Sequence, residues 1–155
     1  MKFKLLVTVL FSLGFSLSTL AQTVPILPKE WSGTASVTSY GAVTQHNPSY
    51  EDIKNRGQAT DNWNFYEGKR ALTIVRQQGR HLELLYKSPK YEEKMIGTIF
   101  DGGKKIQVTS KDSSSLWTIE NNKIEGCGTG RGGQGTFENW LNNIDVFCVD
   151  FTAVK

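Results

Sequence analysis

From residue 30 onward, apolar and polar residues alternate with a period of two through most of the chain. Trp31, Gly33, Ala35 and Val37 interleave with serine and threonine, the pattern of a strand with one buried face. Residues 71–77 and 81–87 repeat it around a turn at Gln78-Gly79, with Leu82, Leu84 and Tyr86 on one side. Residues 94–100 and 104–110 flank Asp101-Gly102-Gly103, a strong hairpin signal. Residues 116–120 and 123–127 flank Asn121-Asn122, two residues that tolerate the left-handed conformation of a tight turn. A last strand is predicted over 144–154, apolar on both faces apart from Asp145, Asp150 and Thr152.

These segments number about eight, and no long helix is predicted anywhere. Ser49 with Asp52, followed by Gly57, predicts one helical turn inside the stretch 40–70. Thr136 caps a second short one, which would put Phe137, Trp140 and Leu141 on one side. Short strands at this spacing make an all-β antiparallel meander, expected as a closed barrel because closure leaves no exposed edge. In such a meander alternate connections leave from the same end. The tight turns at 78–79, 101–103 and 121–122 then share one end, and the longer connections 40–70, 88–93, 111–114 and 128–143 share the other. That rim gathers Tyr50, Trp63, Phe65, Tyr66, Arg131 and Trp140 as candidate ligand-binding residues, together with Tyr40 and Tyr91. Aromatics and arginine dominate binding hot spots, whereas the competing expectation is that Trp63, Phe65, Tyr66 and Trp140 cap the barrel as core.

Trp31-Ser32-Gly33, opening the first strand, resembles the Gly-x-Trp of lipocalins in reversed order. The segments Ile96-Gly97-Thr98-Ile99 and Lys123-Ile124-Glu125-Gly126 are similar in kind to hairpins of the calycin group, the lipocalin-like and avidin-like barrels. The resemblance is one of architecture and implies a small exported barrel able to hold a ligand. No motif matches residue for residue, so it assigns no functional residue.

The N-terminus changes the picture of where the protein works. Lys2 and Lys4 precede an apolar run over 5–17, and Thr19 and Ala21 are small residues at −3 and −1 of a cleavage site. Residues 1–21 are therefore expected to be a signal peptide, cleaved after Ala21, with 22–155 forming one domain in the periplasm or outside the cell. The apolar run is too short, and too interrupted, for a membrane span of ~20 residues. The chain carries a formal charge of +3, of which the two leader lysines supply two. The remainder is nearly neutral, and no basic run interleaves with aromatics, which excludes a nucleic-acid surface. Export and the presence of only two cysteines predict one disulfide, Cys127–Cys148, stapling a glycine-rich final loop.

Candidate chemistry is sparse. Residues 128–133 read G-x-G-x-x-G, but a dinucleotide loop needs a strand before it and a helix after it, and this one is expected as a turning loop, with an anion nest around Arg131 as a second reading. His46 and His81 stand apart from any nucleophile motif and from zinc-ligand spacing, so no catalytic residue, metal or cofactor is assigned. Asp150 lies in an apolar strand and, if it faces inward, requires a partner. The leading expectation is a monomeric, non-enzymatic exported barrel that binds a small apolar ligand or a protein target, such as a hydrolase to be inhibited, at its long-loop end. A part of an envelope assembly and a small enzyme using Asp150, His46 or Arg131 are the alternatives. An interior lined by small residues would favour the small ligand.

Overall fold

The structure, a computed structural model, describes residues 24–40, 63–131 and 144–155. Eight strands follow one another: β1 (Glu30–Tyr40), β2 (Trp63–Gln78), β3 (His81–Lys87), β4 (Glu92–Phe100), β5 (Lys105–Thr109), β6 (Ser113–Glu120), β7 (Lys123–Arg131) and β8 (Ile144–Ala153). Each pairs antiparallel with the next, and β8 closes on β1 from Trp31↔Ala153 to Tyr40↔Ile144. This is the expected closed up-and-down barrel. Among the described residues the only helical element is a 3-10 turn, Asp101–Gly103, between β4 and β5. No described helix is long and apolar enough to cross a membrane. The helical turns predicted near 49–57 and at Thr136 lie outside the described residues.

Two strands run further than the sequence pattern suggests. β2 begins at Trp63, inside a stretch expected to be irregular up to Arg70. Its first half turns Trp63, Phe65, Glu67 and Lys69 outward and Tyr66 and Arg70 inward. Large apolar residues sit on the wet face and a charged residue on the dry one, so the usual hydropathy signal is inverted. β7 continues to Arg131 instead of stopping at Cys127. Gly126, Gly128 and Gly130 alternate there with Cys127 and Thr129, a true period-two strand that has no hydrophobic residue to reveal it.

Large side chains pack the half of the barrel nearest the tight turns. Trp31, Leu72, Leu84, Ile99, Ile106, Trp117, Ile124 and Phe151 are all essentially inaccessible. Phe151 meets Tyr86 edge-on at 6.1 Å between ring centroids and Trp117 at 6.3 Å. The lead-in 24–29 closes this end. Leu27 is buried and its backbone N–H donates to Gln77 Oε1 at 3.0 Å, while Gln77 Nε2 donates to the Pro25 carbonyl at 2.8 Å. The Trp31 indole donates to the Pro28 carbonyl at 2.8 Å.

The turn after β2 and the turn between β6 and β7, where Asn121 and Asn122 take φ of 48° and 62°, lie at this plugged end with the 3-10 turn. The connections 41–62, 88–91, 110–112 and 132–143 leave from the other, as strand parity requires.

Candidate functional site at the loop-bearing end

Strand parity brings a different set of side chains into the half of the barrel that carries the longer connections. On β2 and β3, Arg70 and Tyr86 are buried, and Arg70 Nε donates to Tyr86 Oη at 3.1 Å. The Arg70 guanidinium also sits over the buried Tyr66 ring, 5.8 Å from its centroid, a cation–π distance. Burial pushes the Tyr86 phenol up to about 12, against the opposing pull of the Arg70 charge. The phenol therefore stays a neutral partner for the guanidinium.

The facing wall includes several small residues beside the inward Val37 and Phe147. β7 supplies Gly126, Gly128 and Gly130, β6 supplies Ser113 and Ser115, and β1 supplies Ser39. These glycines are set by close approach. A Cβ on Gly126 would lie 2.7 Å from Trp117 Cα and 2.8 Å from Trp117 Cδ1, and one on Gly128 would lie 2.7 Å from Ser115 Cα. β6 and its inward side chains thus cross β7 with no side chain between them.

Asp145 completes this wall. It faces inward on β8, opposite Ser39 on β1 and Gly130 on β7. Its carboxyl is raised to about 6, first by burial, with the Gly130 backbone amide lowering it and the charge of Glu93 raising it further. Four buried side-chain polar atoms lack a hydrogen-bond partner among the described residues: Ser39 Oγ, Ser115 Oγ, Trp117 Nε1 and Asp145 Oδ1. No described cluster of three or more His, Cys, Asp or Glu could hold a metal ion.

The structure divides the candidate residues of the sequence between two surfaces. Tyr66 is inside with Arg70, whereas Trp63 and Phe65 are 74 % and 70 % exposed on the outer wall. Trp63 packs there against Tyr40, their rings 5.1 Å apart. Arg131 ends β7 as the register partner of Ile144, and Tyr50, Trp140 and His46 lie outside the described residues. His81 is exposed at the plugged end.

Asp150 points outward, 3.6 Å from Lys123, so the question of an inward partner does not arise for it. The inward carboxylate is Asp145, in phase with Val149 and Phe151. Residues 128–131 of the G-x-G-x-x-G stretch form part of a strand, not a turning loop or a strand-to-helix junction. The cysteines do pair, Cys127 with Cys148, on the outside of the barrel.

Sequence reasoning missed Ser39, Arg70, Ser115 and Asp145. The available signal was phase: each falls on the inward parity of its strand, two residues or a multiple of two from an apolar core position.

No family model matches the chain, and no curated protein matches it. Among solved structures it is similar to the zebrafish ileal bile acid-binding protein complexed with cholic acid, with 14% identity over 82% of this chain and 98% of that one and a TM-score of 0.38. A likeness this distant transfers neither a ligand nor the role of any residue.

Proposed function

We propose that this protein is an exported small β-barrel that binds a small molecule at its loop-bearing end. One observation carries the reading. The plugged half of the barrel is filled by Trp31, Trp117 and Phe151, whereas Gly128, Gly130, Ser39 and Ser115 stand among the inward residues of the other half, beside Val37, Tyr66 and Phe147. A barrel that served only as a rigid support would gain by filling both halves with large apolar residues, at about 25 cal/mol per Å² buried. Small inward residues at the end that bears the long connections favour a ligand over a fully filled interior, and eight strands are enough to hold one. Export is supported by the leader-like residues 1–21 and by the disulfide, which fits an oxidising compartment.

The test is native mass spectrometry of the protein purified from its host, compared with Ser115→Leu, which fills the small-residue wall. Retained small molecules that disappear in Ser115→Leu, at an undiminished melting temperature, support the reading. A wild type that carries nothing, and a Ser115→Leu variant destabilised by overpacking, would mark the barrel as solid. N-terminal sequencing of the exported chain should begin at Gln22.

A second reading rests on the outer wall. Phe65, Thr38 and Val146 lie in one row across β2, β1 and β8, with Trp63 and Tyr40 in the next row toward the rim. Trp63, Phe65 and Val146 are large apolar side chains exposed to solvent, and such a patch suits a protein target. Pull-down with Trp63→Ala and Phe65→Ala separates this reading from the first, because neither side chain reaches the interior.

A further inference from the structure

Residues 24–29 form a strap across the plugged end. Val24 packs against the core and Leu27 is buried. Pro25 lies so close to Gly103 that a Cβ there would stand 2.5 Å from the Pro25 Cδ. Gln77 grips the strap with both ends of its amide. Its Oε1 accepts from the Leu27 N–H at 3.0 Å, and its Nε2 donates to the Pro25 carbonyl at 2.8 Å. Further along, the Ile74 N–H donates to the Lys29 carbonyl at 2.8 Å.

A β-bulge puts Gln77 in that position. The register of β2 against β3 shifts between Ile74 and Arg76, and the extra residue brings Gln77 into phase with the buried Leu82, its register partner. Without the shift Arg76 would take the inward phase of Leu72 and Ile74, and Gln77 would face solvent. Bulges are built features of a strand, so the grip on the strap is built in too.

The expected leader ends at Ala21, so only Gln22 and Thr23 separate the bond to be cut from the docked Val24. Fully extended, they reach at most about 10 Å. A leader peptidase has to hold the chain extended on both sides of that bond, and a compact domain of this length has a radius of gyration of about 14 Å. With the strap docked, the barrel occupies the space the peptidase needs. We propose that the leader is removed before residues 24–29 dock, and that docking then closes the plugged end and shields the junction. The step is hydrolysis: water adds across the Ala21–Gln22 peptide bond, leaving a carboxylate on Ala21 and an amine on Gln22. The inference rests on the export reading above and adds an order of events to it.

The experiment incubates the refolded 155-residue precursor with signal peptidase in detergent micelles and follows cleavage by mass spectrometry. A peptide of residues 1–30, which has no barrel to dock on, is the comparator. The folded precursor should be cut at least tenfold more slowly than the peptide. A Gly-Ser spacer of about ten residues between Thr23 and Val24, adding about 35 Å of reach, should restore fast cleavage with the strap untouched. Gln77→Ala removes both amide bonds to the strap and should speed cleavage of the folded precursor about tenfold, because cleavage follows the population of the open form. Tyr86→Phe, which weakens the far half of the barrel, should leave the rate unchanged, since the opening is local.

If the folded precursor and the peptide are cut at equal rates, docking shields nothing, and the inference falls while export stands. A slow precursor that the spacer does not rescue also overturns it. Equal acceleration by Tyr86→Phe and Gln77→Ala would mean that the whole barrel opens and the strap has no part of its own. A peptide left uncut at Ala21 removes the leader, and the export reading falls together with this one.

Discussion

Cys127 and Cys148 are direct register partners on β7 and β8, their Cα atoms 4.0 Å apart, and their disulfide lies on the outer wall of the barrel. It joins strands that are already hydrogen-bonded and closes a sequence separation of 21. Its effect should therefore fall mainly on the unfolded chain, which it shortens. Replacing both cysteines by serine should cost about 3 kcal/mol, or roughly 10 °C of melting temperature for a chain of this size. The emission of the buried Trp31 and Trp117 should stay unchanged before unfolding. Thermal melts followed by tryptophan fluorescence check both parts, and an emission shift in the folded variant would show that the disulfide shapes the interior.

Asp145 should be a net cost to stability at neutral pH. Its carboxyl titrates near 6 in the folded state against an ordinary 3.8. Between those values the folded protein holds a proton that the unfolded chain has lost, so this group's contribution to stability rises as pH falls through that window. Above it the ionised group costs on the order of 3 kcal/mol. Asp145→Asn should therefore be more stable than wild type at pH 7.5, with the gain gone near pH 4. Urea unfolding at the two pH values reads this directly. A less stable Asp145→Asn at pH 7.5 would contradict it.

Arg70 leans on Tyr86 through a buried, charge-assisted hydrogen bond of 3.1 Å. Tyr86→Phe removes that acceptor and should cost about 1.5–3 kcal/mol. In the wild type, a spectrophotometric titration to pH 11 should leave the Tyr86 phenol un-ionised, since Tyr86 is pushed up to about 12. The resistant phenol should disappear in Tyr86→Phe. A full complement of ionised tyrosines at pH 11 in the folded wild type would refute the assignment.

Two glycines should respond very differently to alanine. A Cβ on Gly126 would meet Trp117 Cα at 2.7 Å, a backbone contact that cannot swing away. Gly126→Ala should cost about 3 kcal/mol, the upper range for overpacking. Gly79 sits in a turn at φ 56° with nothing within 4 Å of an added Cβ. Gly79→Ala should cost only the left-handed backbone strain, about 1–2 kcal/mol. Denaturant midpoints at constant m-value decide the order, and equal costs would mean that β7 yields freely.

The outward aromatics should matter little to folding. Trp63 and Phe65 are mostly exposed, so Trp63→Ala or Phe65→Ala should cost less than about 1 kcal/mol, as at other surface positions. Trp117→Ala should cost about 3–5 kcal/mol. Chemical denaturation of the three variants side by side tests this. A core-sized loss at Trp63 would mean that it covers something structural.

By itself, the sequence determined the class of fold, the antiparallel order of the strands and the pairing of the cysteines. Those follow from local rules: period-two alternation, the turn chemistry of Asn121-Asn122 and Asp101-Gly102-Gly103, and the presence of only two cysteines. The gathering of the longer connections at one end also follows, because strand parity is a matter of counting.

Which side chains enter the interior of that end was left to the tertiary structure. Along the start of β2 and the end of β7 the inward residues are Tyr66, Arg70 and glycines, so hydropathy carries no sign of inside and outside. Asp145 and Asp150 are five residues apart on one strand and must point to opposite walls, but composition cannot say which is inside. Closure of the ring decides it, because pairing β8 with both β1 and β7 locks the phase of Val149 and Phe151 to the core, and Asp145 is carried inward with them.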